Sequence, residues 1–147
     1  MTDTIRGNWL FSSDPVIDEE NQELVTGCIV IDYSESETRE TEYTIRLTYG
    51  YMNSPLLEDP DDNNGDLVLF PAIESDDGYV EYREMGVLHR EDGPAVKDYS
   101  SLYEEYWVNG KRHRLDGPAV IHSNGDEEYW ICGVLIFSDQ PKPDIEN

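Results

Sequence analysis

The chain has 147 residues, 33 of them Asp or Glu against 10 Lys or Arg, giving a formal net charge of −23 and a pI near 4.1. That length fits one domain or two small ones, and 37% hydrophobic with 11% aromatic residues leaves enough apolar material for a core. Nucleic acid and anionic membranes are excluded as leading direct partners, because both need clustered Lys and Arg, and no Lys precedes Lys97.

No apolar run approaches the ~18 residues of a membrane span. The first residues, Met1 to Gly7, lack a basic region followed by a hydrophobic one. A cytoplasmic protein is therefore expected. Cys28 and Cys132 stand far apart with no second Cys near either, so zinc and redox spacings are missing and both are expected as reduced, buried thiols.

Three stretches are distinguished: an acidic N-terminal β region over 1–66, a hairpin-repeat region over 67–140, and a tail over 141–147. In the first, Asp14-Pro15 can cap a short acidic helix through Val25. Cys28 to Ile31 reads as a buried strand. Tyr43, Ile45, Leu47, Tyr49 and Tyr51 alternate with Thr44, Arg46, Thr48 and Gly50, the period-2 pattern of a strand with one buried face. A charged connection from Ser34 to Glu40 joins the two into an antiparallel hairpin. Pro55 to Gly65 reads as a loop, and Leu67 to Phe70 returns to strand and leads into the first repeat.

The second stretch repeats itself. Pro71-Ala-Ile, Pro94-Ala-Val and Pro118-Ala-Val recur at steps of 23 and 24 residues, with Glu81-Tyr82, Glu105-Tyr106, Glu128-Tyr129 and Gly86, Gly110, Gly133 in register. Residues 1–66 show no alignable repeat. Fixed periods of this size mean one supersecondary unit per repeat, each covering its neighbour's apolar face. The unit reads as a hairpin: Pro118 to His122 is one strand, Ser123-Asn124-Gly125-Asp126 a turn with both central residues at positive φ, and Glu127 to Cys132 the other. Gly110 and Gly133 are expected to open the loop to the next hairpin, and the aromatic residues Tyr82, Tyr106, Tyr129, Trp107 and Trp130 to form the stacked core.

The rhythm of Tyr106, Asn109-Gly110-Lys111, His113, Gly117, Gly125, Tyr129 and Gly133 resembles MORN-type repeats, which are stacked β-hairpins. The variant His89-Arg-Glu-Asp-Gly-Pro-Ala95 and His113-Arg-Leu-Asp-Gly-Pro-Ala119 is similar to a form found in phage and large-virus proteins. The likeness covers residues 71–137. It implies a mostly β, elongated fold in which an N-terminal antiparallel sheet continues into about three stacked hairpin repeats, and a scaffold role; the acidity argues against the lipid binding of some such arrays.

Each motif that could carry chemistry has a simpler reading. Asp59-Pro-Asp-Asp-Asn-Asn-Gly-Asp66 has the oxygens of a calcium loop, but its glycine arrives at position seven and Phe70 replaces the bidentate Glu, so a solvated acidic loop is expected. His89-Arg90 and His113-Arg114 recur in equivalent places, as structural devices do, and Arg90 with Asp92 and Arg114 with Asp116 can close the loop before each Gly-Pro. His122 reads as a half-exposed spacer. No nucleophile elbow, phosphate loop or paired-His metal motif occurs, so no catalytic residue, metal or cofactor is expected and an enzyme is the least favoured class.

The charge remains. Residues 1–66 carry net −13 and residues 67–147 net −10. Duplex DNA carries about one charge per 1.7 Å, so 23 charges match roughly 11–12 base pairs. The expected function is therefore that of a DNA mimic, whose carboxylates stand in for phosphates in the groove of a basic nucleic-acid-binding protein. A nuclease or CRISPR effector is the expected target, and the physical character resembles phage anti-restriction and anti-CRISPR inhibitors. The candidate contact residues are Asp18, Glu19, Glu20; Glu35, Glu37, Glu40, Glu42; Asp59, Asp61, Asp62, Asp66; and Asp126 with Glu127. Two alternatives stand beside it: a repeat scaffold binding a partner protein through exposed aromatics, and a halophilic protein whose acidity serves solubility in salt.

Overall fold

The computed structural model describes residues 23, 26–36, 39–48 and 51–138. Among these every regular element is a β-strand, and the fold is an elongated, all-antiparallel assembly of hairpins. The helix expected between Asp14 and Val25 lies outside the described residues, except for Glu23, which is not helical.

Strands β1 (Gly27–Ser36) and β2 (Arg39–Thr48) form the long N-terminal hairpin, with Ile29 opposite Ile45. The period-2 pattern is seen in the middle of the stretch: Ile45 and Leu47 are buried, while Thr44, Arg46 and Thr48 beside them are partly exposed, as is Tyr43; Tyr49 and Gly50 lie outside the described residues. The strand ends early, however. Tyr51 belongs to a short return strand, β3 (Tyr51–Met52), that pairs back onto β2 with Met52 opposite Leu47 and buries Met52.

A separate hairpin follows, β4 (Leu56–Glu58) with β5 (Leu67–Leu69). The segment read as loop from Pro55 therefore opens with a strand, and Leu67 to Leu69 pairs within this arm and not with the first repeat. The array proper runs β6 (Ile73–Ser75), β7 (Tyr79–Glu81), β8 (Arg83–Glu84), β9 (Val87–Leu88), β10 (Val96–Asp98), β11 (Tyr103–Glu105), β12 (Trp107–Val108), β13 (Lys111–Arg112), β14 (Val120–Ile121), β15 (Glu127–Ile131) and β16 (Val134–Ser138). One sheet of ten strands carries β1-β2-β6-β7-β10-β11-β14-β15-β16 in order with β3 beside β2, so pairing is continuous across residue 66; β4–β5, β8–β9 and β12–β13 are two-stranded.

Backbone hydrogen bonds define the repeat. The Tyr82 amide donates to the Ala95 carbonyl (2.6 Å), His89 to Tyr82 (3.1 Å) and Arg90 to Trp107 (3.0 Å); one unit on, Tyr106 donates to Ala119 (2.7 Å), His113 to Tyr106 (3.0 Å) and Arg114 to Trp130 (3.1 Å). The same three bonds occur one unit earlier, where the sequence shows no repeat: Arg46 to Ala72 (2.8 Å), Asn53 to Arg46 (3.0 Å) and Ser54 to Arg83 (2.8 Å). Arg46 and Tyr82 are 36 residues apart against 24 between Tyr82 and Tyr106, and the excess is the β4–β5 arm. The side chains at the equivalent positions differ too much for the register to be read from residue types.

Two turn assignments change. Met85-Gly86, Asn109-Gly110 and Cys132-Gly133 each have positive φ at both residues (46° and 91°, 50° and 76°, 49° and 80°), so these glycines close tight two-residue hairpins β8–β9, β12–β13 and β15–β16. At Asn124-Gly125 only the glycine has positive φ. Its amide donates to the His122 carbonyl (2.9 Å) and the His122 amide to Asp126 (2.8 Å), a three-residue loop closed by a left-handed glycine.

The core is aliphatic and small: Ala72, Ala95 and Ala119 with Ile73, Val96 and Val120 from the Pro-Ala-Val strands, continued by Ile45, Leu47 and Met52. The aromatics expected to fill it are only half-buried: Tyr129 lies against Phe137, and arginines occupy faces of the other four. Arg90 lies 4.0 Å over the Tyr82 ring and Arg114 4.0 Å over Tyr106, while Arg112 stacks against both Trp107 (5.3 Å) and Trp130 (5.1 Å). Each clamp arginine also reaches its own loop: Arg90 Nε donates to Asp92 (2.9 Å) and NH1 to the Pro94 carbonyl (3.2 Å), and Arg114 does likewise with Asp116 (3.0 Å) and Pro118 (3.1 Å). A Cβ on Gly93 or Gly117 would stand 3.1 or 3.0 Å from the guanidinium carbon, which explains glycine there.

The clamp should be worth more through its ring and carbonyl than through its carboxylate. Arg114→Ala is expected to cost about 2 kcal/mol in urea denaturation. Asp116→Asn, at a side chain 88% exposed, should cost under about 0.5 kcal/mol. Equal losses for the two would show that the ion pair, not the stacking, closes the loop.

Candidate functional site

The acids of the repeats divide into an inward and an outward set. Glu81, Glu105 and Glu128 occupy the same place in successive units and point inward. Glu81 accepts from Arg83 Nε (2.7 Å) and the Tyr79 hydroxyl, and both members of the Glu81–Arg83 pair are buried. Glu105 accepts from Trp107 Nε1 (2.8 Å), Arg112 Nε (3.0 Å) and the Tyr103 hydroxyl (2.6 Å). Glu128 accepts from Trp130 Nε1 (2.7 Å) and pairs with His122 (3.0 Å). Burial opposes ionisation of Glu128, yet the His122 and Trp130 hydrogen bonds prevail and hold it below the usual carboxylate range. These carboxylates organise the interior and are unavailable to a partner. Their recurrence in register with Tyr was the sign of it. His122 is accordingly a hydrogen-bond partner of Glu128 (3.0 Å), with its ring 5.8 Å from Tyr103, and not a spacer.

The outward set includes Glu42, Asp59, Asp61, Asp62, Asp66, Asp126 and Glu127 of the candidate contact residues. Asp18, Glu19, Glu20 and Glu37 lie outside the described residues. Glu35 and Glu40 sit in β1 and β2 beside the connection of that hairpin. Glu42, also on β2, is exposed, and its carbonyl accepts the Asp76 amide (3.0 Å), which brings it beside the Asp76-Asp77 tip of β6–β7. Asp59, Asp61, Asp62 and Asp66 share the tip of the β4–β5 arm. There the Asp59 carboxylate takes the Asp61 amide (2.9 Å) and that of Asp62 the Asn64 amide (2.9 Å), leaving Asp61 and Asp66 exposed. Asp126 and Glu127 are half-exposed at the last tip, engaged by Asn124 Nδ2 (2.9 Å) and the Tyr129 hydroxyl (3.0 Å). Six strand spacings separate β2 from β15, about 29 Å at ~4.8 Å per strand. Glu42 and the Asp126–Glu127 pair therefore belong to opposite parts of the sheet.

Charge is unevenly laid along this axis. Residues 71–93 hold seven acids and two arginines, residues 94–117 four acids and four bases, and residues 118–138 three acids and no Lys or Arg. In the middle unit Lys97 pairs with Glu104 (2.7 Å) and Arg112 with Glu105 (3.0 Å). A repeat advances by two strands, about 9.6 Å, over which a duplex presents roughly five to six charges. The first unit, at net −5, approaches that density and the neutral middle unit does not.

The remaining groups are structural. His89 Nδ1 accepts the Asn109 amide (3.0 Å), and His113 Nδ1 accepts the Cys132 amide (3.0 Å), so each imidazole pins the next tight turn. Cys132 Sγ lies 3.6 Å from the same nitrogen, whose lone pair is thus engaged and cannot serve as a base for the thiol. Both cysteines are exposed, contrary to the burial expected: Cys28 lies at the start of an edge strand and Cys132 at a turn corner. Among the described residues, no group of three or more His, Cys, Asp or Glu could hold a metal ion, and no helix is long and apolar enough to cross a membrane.

The inward acids also fix the phenols. Burial, then the charge of Glu81, raises Tyr79 far above the ordinary phenol range, and burial with the Glu105 hydrogen bond raises Tyr103 likewise. Burial raises Tyr82 and Tyr106 as well, against the lowering effect of Arg90 and Arg114. A group whose folded pKa is raised contributes stability that is fully present below its unfolded pKa, about 10 for tyrosine, and lost as pH rises through the folded value. In an alkaline titration followed at 295 nm, Tyr79 and Tyr103 should ionise only as the protein unfolds. Ionisation of all ten tyrosines near pH 10 with the fold intact would contradict this environment.

No protein-family model, curated protein or solved structure matches this chain.

Proposed function

We propose that the protein acts without catalysis, in the cytoplasm of a host cell, as a DNA mimic that occupies the basic groove of a nucleic-acid-binding protein such as a restriction nuclease or CRISPR effector. The observation that carries this reading is the polarity of the charge: residues 1–93 hold −18 of the net −23, while the next unit is neutral. At about 1.7 Å per charge, 18 net charges correspond to some nine base pairs. The mimicking surface is accordingly the N-terminal half, with Glu42, the Asp76-Asp77 tip, Glu91 and the β4–β5 arm. Asp126 and Glu127, beyond the neutral unit, are peripheral to it. A folded chain with this charge is destabilised by self-repulsion, which a cationic partner relieves while also accelerating encounter.

A second reading, a repeat scaffold that binds a partner protein through apolar surface, is favoured by β16, where Val134, Leu135, Ile136 and Phe137 are all exposed. Tyr82, Tyr106, Trp107 and Trp130 do not serve this reading, since they are arginine-stacked; Tyr129 lies against Phe137 of β16, with ring centroids 5.8 Å apart.

Displacement of labelled duplex from a purified restriction nuclease and a purified CRISPR effector separates these readings. Under mimicry, inhibition should weaken more than tenfold between 50 and 200 mM salt, and Glu42→Gln with Asp76→Asn and Glu91→Gln should weaken it with the melting temperature unchanged. Inhibition that survives both salt and these substitutions would rule mimicry out, and a fold that melts at low salt would favour the halophilic origin.

A further inference from the structure

The β4–β5 arm breaks the repeat at a point where the next two units use a minimal closure. Between Arg90 and Pro94 the chain needs only Glu91-Asp92-Gly93, and between Arg114 and Pro118 only Leu115-Asp116-Gly117; between the equivalent Ser54 and Pro71 it runs out through residues 55–70. The base of the arm is anchored as the other loops are. Phe70 donates its amide to the Pro55 carbonyl (2.9 Å), and Arg46 stacks 5.1 Å from the Phe70 ring while NH1 donates to the Pro71 carbonyl (2.8 Å). The tip is held by the Asp59 amide on the Asp66 carbonyl (3.0 Å) and by Gly65 at φ 76°.

Neither face of this two-stranded arm is covered. Leu57 and Val68, opposite one another on one face, are 44% and 41% exposed, and Leu56 and Leu67 on the other are both 61% exposed. An isolated hairpin gains little from such residues, and contiguous exposed apolar side chains mark contact surfaces. Glu58, Asp59, Asp61, Asp62 and Asp66 crown the stem, and no Lys or Arg lies between Arg46 and Arg83. The complementary surface has an apolar floor and a cationic rim. Channels that hold single-stranded nucleic acid are built in this way, with aromatic platforms for the bases and Lys or Arg along the backbone.

We infer that the arm is the inserting element, and that it enters a single-strand channel of the partner protein, with its leucines and Val68 on the base-stacking aromatics and its carboxylates on the phosphate-binding cations. This rests on the mimicry reading and names the class of groove. An arm-less variant follows from the chain itself: residues 55–70 replaced by Glu-Asp-Gly, the closure of the next unit. Leu56→Ser with Leu67→Ser, both at exposed positions, provides a second variant whose folding does not depend on the excision.

Each protein is titrated against a CRISPR effector nuclease and an OB-fold single-strand-binding protein, carrying labelled single-stranded DNA or labelled duplex as probes. Wild type should release the single strand, and both variants should do so at least tenfold less well; the two-serine variant, which keeps the Arg46–Phe70 stack, should do so at an unchanged melting temperature. Variants that release the single strand as wild type does would overturn the arm's role and leave mimicry standing. So would release of duplex alone, by wild type and variants equally. Release of neither probe by wild type would overturn the mimicry reading and the arm's role with it.

Discussion

Two successive repeats are each closed by an arginine stacked over a tyrosine ring with its remaining donors turned onto its own loop, and much of the architecture depends on that clamp. The guanidinium covers the ring face, bonds the carbonyl of the following proline and leaves no room for a Cβ on the intervening glycine. Proline then directs Ala and Val into the sheet, where the small alanine sits fully buried between neighbouring units. One peptide, Arg-x-Asp-Gly-Pro-Ala-Val, thus specifies a loop, a clamp and a core strand. In the N-terminal unit Arg46 does the same from β2, over Phe70 and onto Pro71, although its neighbours in sequence look nothing like the other units.

The clamp also shapes the electrostatics. Lining the aromatics with cations lets each unit keep one carboxylate inside, bonded to indole, phenol or guanidinium donors, which is how a buried acid avoids an uncompensated charge. Apart from the exposed Lys111, the cations of the middle unit, Lys97, Arg112 and Arg114, are spent on acids of the same unit. What is left exposed is almost purely anionic, and it is concentrated on the N-terminal side of the sheet. The acidity is therefore a directional surface and not a uniform coat.

Much was legible from residue order. The period, the hairpin character, the β1–β2 pair and the structural role of His89, His113, Arg90 and Arg114 all follow from local rules: alternation, turn glycines and recurrence in register. The misread features are those in which distant chain segments compete for the same partner. Large size and recurrence point Tyr and Trp to the core, but Arg90 and Arg114 from the loops and Arg112 from β13 cover faces of Tyr82, Tyr106, Trp107 and Trp130. Asn124-Gly125 has the residue types of a two-residue turn, yet the strands it joins are spaced for three. The unit at Arg46 escaped notice because its evidence is a pattern of backbone hydrogen bonds, which leaves no trace in residue type once an insertion has broken the spacing.

The amino-acid sequence by itself determined an acidic, mostly β, repetitive chain, since charge, alternation and period are properties of residue order. Only the tertiary structure decided which acids face inward, where the positive charge is consumed, and that residues 55–70 stand out as an arm with two uncovered faces. Those outcomes rest on contacts between residues far apart in the chain, such as Arg46 with Phe70 and Arg112 with Trp130. The free energy of such contacts depends on three-dimensional proximity, which residue order alone does not express.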